Sequence, residues 1–336
     1  MEVIMRNGWA WFLILFSSSV FSQITNIERI NAVKNVTRIA FGSCNDQNDA
    51  QPLWDDLALI RPDIFIWGGD AIYADWETAY DMKSSYHKQF YQKDYKKFRS
   101  TTPIIGTWDD HDYAFDNANG TLQTKDTSKK LFLDFLEEPQ DSLRRIQQGV
   151  YTSYEFQSAD KKIKIILLDN RYFKDLDPEA PMLGKTQWRW LEQELKASTA
   201  DAHFIMTGLS VFSPLLPYTE EWAEKPNEIN RMLHLIKTYN PKGVMFLTGD
   251  KHFASIFQNY GQLEFMASGM THVAPRKTWW YLGTKYPTTY FGLNYGLIDI
   301  SWEGSNPLLM LSIRTPSGQS IHQSRFRWDN TAWSRF

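Results

Sequence analysis

Five short segments of the chain end a predicted strand in residue types that bind metal ions. They are Phe41-Gly42-Ser43-Cys44, Gly68-Gly69-Asp70-Ala71-Ile72-Tyr73-Ala74-Asp75, Trp108-Asp109-Asp110-His111-Asp112, Leu168-Asp169-Asn170-Arg171 and Leu247-Thr248-Gly249-Asp250-Lys251-His252. The carboxyl ends of successive strands in an α/β sheet converge on one crevice, however far apart they lie in the chain. A fold that brings these five ends together gathers Asp, His, Cys and Tyr in one place. Such a cluster can hold two or more metal ions.

The rest of the chain supplies the strands and helices this requires. Thr37–Phe41 and Asp63–Trp67 read as strands flanking a helix over Pro52–Ile60, a unit that favours parallel pairing. A long polar and aromatic helix is expected over Trp76–Ser100, then a strand over Pro103–Thr107 and a helix over Thr127–Leu136. Val150–Phe156 and Ile163–Leu168 read as paired strands. Strands at Phe204–Thr207, Gly243–Leu247 and Leu263–Ala267 follow, with amphipathic helices at Thr186–Ala197 and Asn227–Thr238. Tyr295–Ser301, Leu308–Arg314 and Ser320–Phe326 read as an antiparallel meander, with turns near Gly304-Ser305-Asn306-Pro307 and Pro316-Ser317-Gly318. Residues 24–36 read as a polar approach segment. The expected architecture is one α/β sandwich of mixed sheets with helices outside.

Each strand end has its own chemistry. Two glycines before Asp70 let the backbone turn sharply, and a carboxylate there can bridge two cations. Tyr73 and Asp75 reach the same place if the loop curls back. Four ionisable groups in a row, Asp109 to Asp112, repel one another unless solvated or neutralised by a cation. A neutral His111 beside such carboxylates suits a proton donor to a phosphoryl oxygen. An extended Asp250-Lys251-His252 puts Asp250 and His252 on one side of the chain. Arg171 can pair a carboxylate or bind a phosphate oxygen bidentately. His203 and His234 read as structural, and His272 is left open. No Gly-x-Ser-x-Gly and no Walker loop occurs, so a serine hydrolase or P-loop enzyme has little support.

Composition narrows the setting. The net charge of -3, without a basic run, leaves no nucleic-acid surface. The 14 Trp, 16 Tyr and 21 Phe point to a large aromatic core. Arg6, the apolar Trp9–Phe16 and the small residues Ser17–Ser22 read as a Sec-type signal peptide over residues 1–22, cleaved before Gln23. That apolar run is too short to span a bilayer comfortably, so the mature chain is expected to have no transmembrane span and to be periplasmic or secreted. One domain then covers 23–336. The chain has one cysteine, Cys44, and so forms no internal disulfide. In an oxidising compartment its thiol is either buried and inert or protected by a metal.

In order and spacing, several segments resemble the PhoD-like alkaline phosphatase family of metallophosphatases. The resemblance runs from about Arg38 to His272. It rests on Phe41-Gly42-Ser43-Cys44, Gln51-Pro52-Leu53-Trp54, Gly69 to Asp75, Trp108 to Tyr113, Phe132-Leu133-Asp134-Phe135, Leu183 to Trp188 and Gly249-Asp250-Lys251-His252-Phe253. It implies a calcineurin-like four-layer αββα sandwich, here with the C-terminal antiparallel meander. It implies an Fe(3+) ion held by Cys44, Asp70, Tyr73 and Asp250. Asp70 would bridge to Ca(2+), with Asp110, Asn117 and His252 completing the site. A different divalent metal is an alternative. The family often reads Asp-His-Asp-Tyr-Gly-x-Asn-Asp where this chain has Asp110-His111-Asp112-Tyr113-Ala114-Phe115-Asp116-Asn117, so Asp116 competes with Asn117 as the ligand. Position 71, often Asn in the family, is Ala71. His111 matches the histidine beside the scissile phosphate.

The expected activity is hydrolysis of a phosphomonoester or phosphodiester by a metal-bound hydroxide, with His111 and Arg171 as the catalytic side chains. The substrate would be a small-molecule or lipid phosphoester. The alternatives are a diester-specific phosphodiesterase or phospholipase, and a non-catalytic phosphate- or glycan-binding protein on the same scaffold.

Overall fold

The computed structural model describes residues 24–74, 79–177, 179–213, 220–274 and 288–336. The predicted signal peptide, and Asp75 among the candidate residues, lie outside them. In chain order the elements are α1 (Asn26–Ala32), β1 (Arg38–Gly42), α2 (Leu53–Ile60), β2 (Ile64–Gly68), α3 (Ala79–Tyr91), α4 (Lys93–Arg99), β3 (Ile104–Thr107), α5 (Asp110–Tyr113), α6 (Lys125–Phe135), α7 (Leu143–Ile146), β4 (Thr152–Ser158), β5 (Lys161–Leu167), α8 (Gly184–Lys196), β6 (Ala202–Thr207), α9 (Pro226–Tyr239), β7 (Val244–Thr248), β8 (Ala254–Asn259), β9 (Gln262–Ala267), β10 (Tyr295–Glu303), β11 (Asn306–Arg314), β12 (Ser320–Trp328) and β13 (Trp333–Arg335).

Two sheets form. One has the order β13-β12-β11-β10-β1-β2-β3, the other β4-β5-β6-β7-β9-β8. Strands β1, β2 and β3 pair in parallel, as do β5, β6, β7 and β9. The meander joins the first sheet through β10, antiparallel to β1 with Phe41 opposite Gly296.

Alternation along the strands builds four layers. Successive side chains on a strand point to opposite faces. Ile39, Phe41, Ile64 and Ile66 therefore meet Ile165, Leu167, Phe204, Met206, Met245 and Leu247 between the sheets. Their neighbours Ala40, Phe65 and Trp67 face outward onto Trp54 of α2, Met82 of α3, Phe98 of α4 and Phe132 of α6. On the far side, Ile166, Ile205 and Phe246 pack on Trp188 and Leu191 of α8 and Met232 of α9. Burying each of these side chains contributes about 1.5–3 kcal/mol. Much of the expected aromatic core lies in the first outer layer, where the Trp54 ring meets Phe65, Trp67 and Phe98 at centroid distances of 5.4, 5.5 and 5.4 Å. The chain is thus a four-layer αββα sandwich with a C-terminal antiparallel meander.

Some elements differ from the sequence reading. Residues 26–32 of the expected approach segment form helix α1, because Thr25 and Glu28 cap it reciprocally. The described part of the expected Trp76–Ser100 helix is broken in two. Gln92 turns its side chain back to accept from the Asp94 and Tyr95 amides at 2.8 and 2.7 Å and so starts α4. Strand β8 lies in a stretch that the reading left unassigned. It pairs with β9 across a tight turn in which both Tyr260 and Gly261 have positive φ.

Candidate metal centre

The two sheets touch where their strand ends meet. Thr107 Oγ1, at the end of β3, donates to the Leu168 carbonyl just past β5 at 2.6 Å. Past β7, a Cβ on Gly249 would come 2.6 Å from Ser43 Oγ and 2.7 Å from the Gly68 carbonyl. Only glycine lets these loops approach so closely. The backbone is also unusual at the candidate residues themselves. Cys44, Asp70, Asn117, Asp250 and His252 all have positive φ, between 47° and 71°. That conformation costs a non-glycine residue roughly 1–2 kcal/mol, so surrounding structure must hold it.

One consequence corrects the sequence reading. Asp250-Lys251-His252 is a left-handed turn, with φ of 71° at Asp250 and 59° at His252, not an extended segment. Lys251 is fully buried and pairs with Glu221, and its Nζ also lies 3.4 Å from Asp250 Oδ2, at the edge of the cluster.

Four candidate residues meet at one point. Cys44 Sγ and Tyr73 Oη lie 3.5 and 3.4 Å from Asp70 Oδ2. Tyr73 Oη is also 3.0 Å from His252 Nε2. The loop after β2 therefore does curl back. The Asp109–Asp112 run spreads its charges by entering the short helix α5. Asp110 accepts from the Asn117 amide at 2.6 Å. Asp112 turns inward to the Ala71 amide and the Tyr86 hydroxyl, both at 3.1 Å. The His111 ring stands 4.1 Å from the Tyr73 ring, centroid to centroid. Asp116 and Asn117 follow on the exposed rim, and Asn117 Nδ2 donates to Asp116 at 2.9 Å. One carboxylate oxygen each of Asp70, Asp109 and Asp110 lies within 4.8 Å of the others, and ligand atoms of Asp110, His111 and Asp116 are grouped as closely.

Arg171 is near the cluster but faces carboxylates on several sides. Its Nε donates to Asp109 at 2.5 Å, an Nη lies 3.6 Å from Asp110, and the other pairs with Glu220. Lys174 pairs with the same Glu220. Asp169 is structural. Its carboxylate accepts from the amides of Val150, Arg171 and Tyr172.

The electrostatics ask for cations. Burial, then the charges of Asp110, Asp109, Asp112 and Asp250, push the Asp70 carboxyl well up. Burial and Asp70 do the same to the Cys44 thiol, and burial and Cys44 to the Tyr73 phenol. Burial raises Asp109 to about 7 despite Arg171. Burial acts against ionised Asp110 too, but Arg171 and His111 hold it below the ordinary range. Burial lowers His252, which favours the neutral imidazole that ligates metals. Asp109 Oδ2 is buried and finds no hydrogen-bond partner among the described residues. A thiol, a phenol, an imidazole and several carboxylates crowded together in this way fit a group of cations, which would reverse the upward shifts of Asp70, Cys44, Tyr73 and Asp109.

The sequence model of PhoD-like phosphatases matches residues 39–275. The chain belongs to the PhoD-like phosphatase family. Solved structures share the fold. One described as the structure of PhoD is 18% identical, covers 90% of this chain and 72% of its own, and has a TM-score of 0.67. Purple acid phosphatase PPD1 from yellow lupin is 14% identical, with coverage of 86% and 53% and a TM-score of 0.57. GAP50, described as the anchor in the inner membrane complex of Plasmodium, is 10% identical, with coverage of 86% and 88% and a TM-score of 0.59. No curated protein matches the sequence. At these identities the structures show the fold alone. Family membership makes the chain a metallophosphatase, to which the cluster around Asp70 corresponds in chemistry.

Three residues of this PhoD-like centre were not singled out from the sequence. Asp109 sits among the strand-end glycines, where a Cβ on Gly69 would come 2.5 Å from Asp109 Cβ. Its place in the acidic run was the available signal. Glu220 neutralises Arg171 and Lys174 from a distant loop and carried no local signal. His272 stacks on Tyr73 at 4.3 Å with an interplanar angle of 12°.

Proposed function

We propose that this metallophosphatase is an exported phosphoester hydrolase, acting on phosphomonoesters or phosphodiesters at a centre of Fe(3+) and Ca(2+). The approach of Cys44 Sγ and Tyr73 Oη to the same oxygen of Asp70 carries the reading. A thiolate and a phenolate suit a strongly Lewis-acidic ion, and Cys44, Asp70, Tyr73 and Asp250 would hold it. Asp110, Asn117 and His252 would complete the set beside Asp70, with Asp116 competing for the place of Asn117. The oxygen donors among them, Asp70, Asp110 and Asn117 or Asp116, suit calcium, and His252 adds a nitrogen donor.

When bound, the cations would supply an activated water and neutralise charge on the phosphoryl oxygens. The chain's own groups do the rest. His111, half-buried beside Tyr73, donates a proton to the leaving oxygen. Arg171 aims Asp109 and Asp110, which makes it a positioning residue and not a phosphate clamp. Asp112, tied to Ala71 and Tyr86, keeps the turn around Asp70 closed.

Metal analysis of protein purified from its native compartment tests this reading, together with a panel of mono- and diesters. Iron and calcium, a visible charge-transfer band and an N-terminus at Gln23 are expected. A colourless, fully active protein containing only zinc overturns the metal assignment. A metal-loaded protein that binds phosphoesters without cleaving them supports the binding-protein alternative.

A further inference from the structure

We propose that His272 is a positioning residue for the metal centre, acting through its ring face on Tyr73 and not through a ring nitrogen. The inference rests on the hydrolase reading above.

The Tyr73 phenol stands between two imidazoles. The His111 ring is tilted by 33° at 4.1 Å, whereas the His272 ring is nearly parallel, 12° at 4.3 Å. Tyr73 must hold its hydroxyl near Asp70 and His252 at once. Its backbone is held from the loop after β1, where the Gln47 side chain accepts from the Tyr73 amide at 2.8 Å and donates to its carbonyl at 2.7 Å. A flat ring against its face fixes the ring plane.

The backbone around His272 makes that contact a shared reference point. The Met270 amide donates to the Ser43 carbonyl, and the Thr271 and His272 amides donate to Cys44 O at 3.0 and 3.3 Å. The Ala274 amide donates to His252 O at 2.7 Å. Thr271 Oγ1 accepts from the Asp46 amide at 2.7 Å. Segment 270–274 thus fastens the loop of Cys44 and the turn of His252 by its backbone. His272 alone in that segment reaches Tyr73 with its side chain. Three candidate ligands from three strand ends are registered against one short piece of chain. The stack uses the ring face; Nδ1 lies 3.2 Å from Thr271 Oγ1, and one ring nitrogen lies within 4.8 Å of a carboxylate oxygen each of Asp46 and Asp49, so the variants below separate ring face from ring nitrogen.

Three variants of the full mature chain test the proposal. His272→Phe keeps a flat ring, His272→Leu keeps bulk without one, and His272→Ala removes both. Metal content after dialysis, kcat and thermal midpoint are measured for each. Phe is expected to retain metals and kcat within about threefold of wild type. Leu and Ala should both lose kcat by tenfold or more and retain less metal, at a nearly unchanged midpoint. A second readout needs no turnover. With the metals removed by chelation, so that no paramagnetic iron broadens the signal, tyrosine selectively labelled and the Tyr73 signal identified by Tyr73→Phe, its ring protons should lie upfield in wild type and His272→Phe relative to His272→Leu.

Phe as damaging as Ala overturns the proposal and makes a His272 nitrogen the working group. Leu as good as Phe, or no ring-current shift, overturns it too. A wild-type protein that holds no metal and cleaves no phosphoester refutes the hydrolase reading instead, and the ring-current comparison still decides the stack.

Discussion

Arg171 Nε donates to Asp109 Oδ1 at 2.5 Å, and both side chains are buried. The pair joins the loop after β5 in one sheet to the loop after β3 in the other. Removing one partner of a buried ion pair leaves the other uncompensated and costs about 3–5 kcal/mol. Arg171→Met should therefore lower the thermal midpoint by several degrees and reduce metal retention, because Asp109 and Asp110 lose their orientation. An unchanged midpoint with a raised KM would return Arg171 to the role of phosphate ligand.

His111 has a different expected signature. Its backbone is held by helix α5 and its amide donates to Asp70 at 3.3 Å, so the side chain can change while the turn stays. His111→Asn should keep the metals and the melting temperature yet lower kcat by about 10²–10⁴-fold. The loss should grow with the pKa of the leaving group. Loss of metal, or an equal loss for all leaving groups, makes His111 a ligand or charge stabiliser instead.

Asp116 and Asn117 compete for one role on the rim. Asn117 takes the left-handed conformation and donates its backbone amide to Asp110, while its side chain donates to Asp116. Asn117→Ala should cut activity strongly and Asp116→Ala much less. The reverse result moves the ligand to Asp116, and no effect from either removes this loop from the centre.

His203, on β6 away from the site, should contribute a pH dependence of stability. Its ring nitrogens lie 2.7 Å from the Lys242 carbonyl and 2.7 Å from Ser198 Oγ. Burial lowers its pKa to about 4, below the ordinary 6.5. Between those values the unfolded chain binds a proton that the folded chain refuses. Its contribution is complete above pH 6.5 and is lost as pH falls toward 4, roughly 3 kcal/mol in all. Between pH 7 and 5 the loss is about 2 kcal/mol. Urea unfolding of His203→Gln should show a correspondingly shallower drop over that range. An identical slope in both proteins would mean that His203 titrates in the fold as it does in the unfolded chain.

The sequence by itself determined the strands and most of the helices, because burial writes a period of two or 3.6 into each. It also determined which strand ends carry donors, since Cys44, Asp70, Asp110 and Asp250 each directly follow an apolar strand or its glycine turn. Helix α1, where 24–36 reads as a polar approach segment, and strand β8 with its hairpin turn came from the structure, although the Thr25-x-x-Glu28 cap and the Tyr260-Gly261 turn are local chemistry. Tertiary structure alone decided the partners. Glu220 claims Arg171 from 49 positions away, and nothing near either residue in the chain announces it. Lys251 is shared between Asp250 beside it and Glu221, buried opposite it on a distant loop. His272 lies on Tyr73 only because β9 ends beside β1, where its backbone meets Cys44. A side chain's residue type and local spacing state what it can bind; which groups surround it is set by strand order and sheet packing, which contacts between distant segments determine.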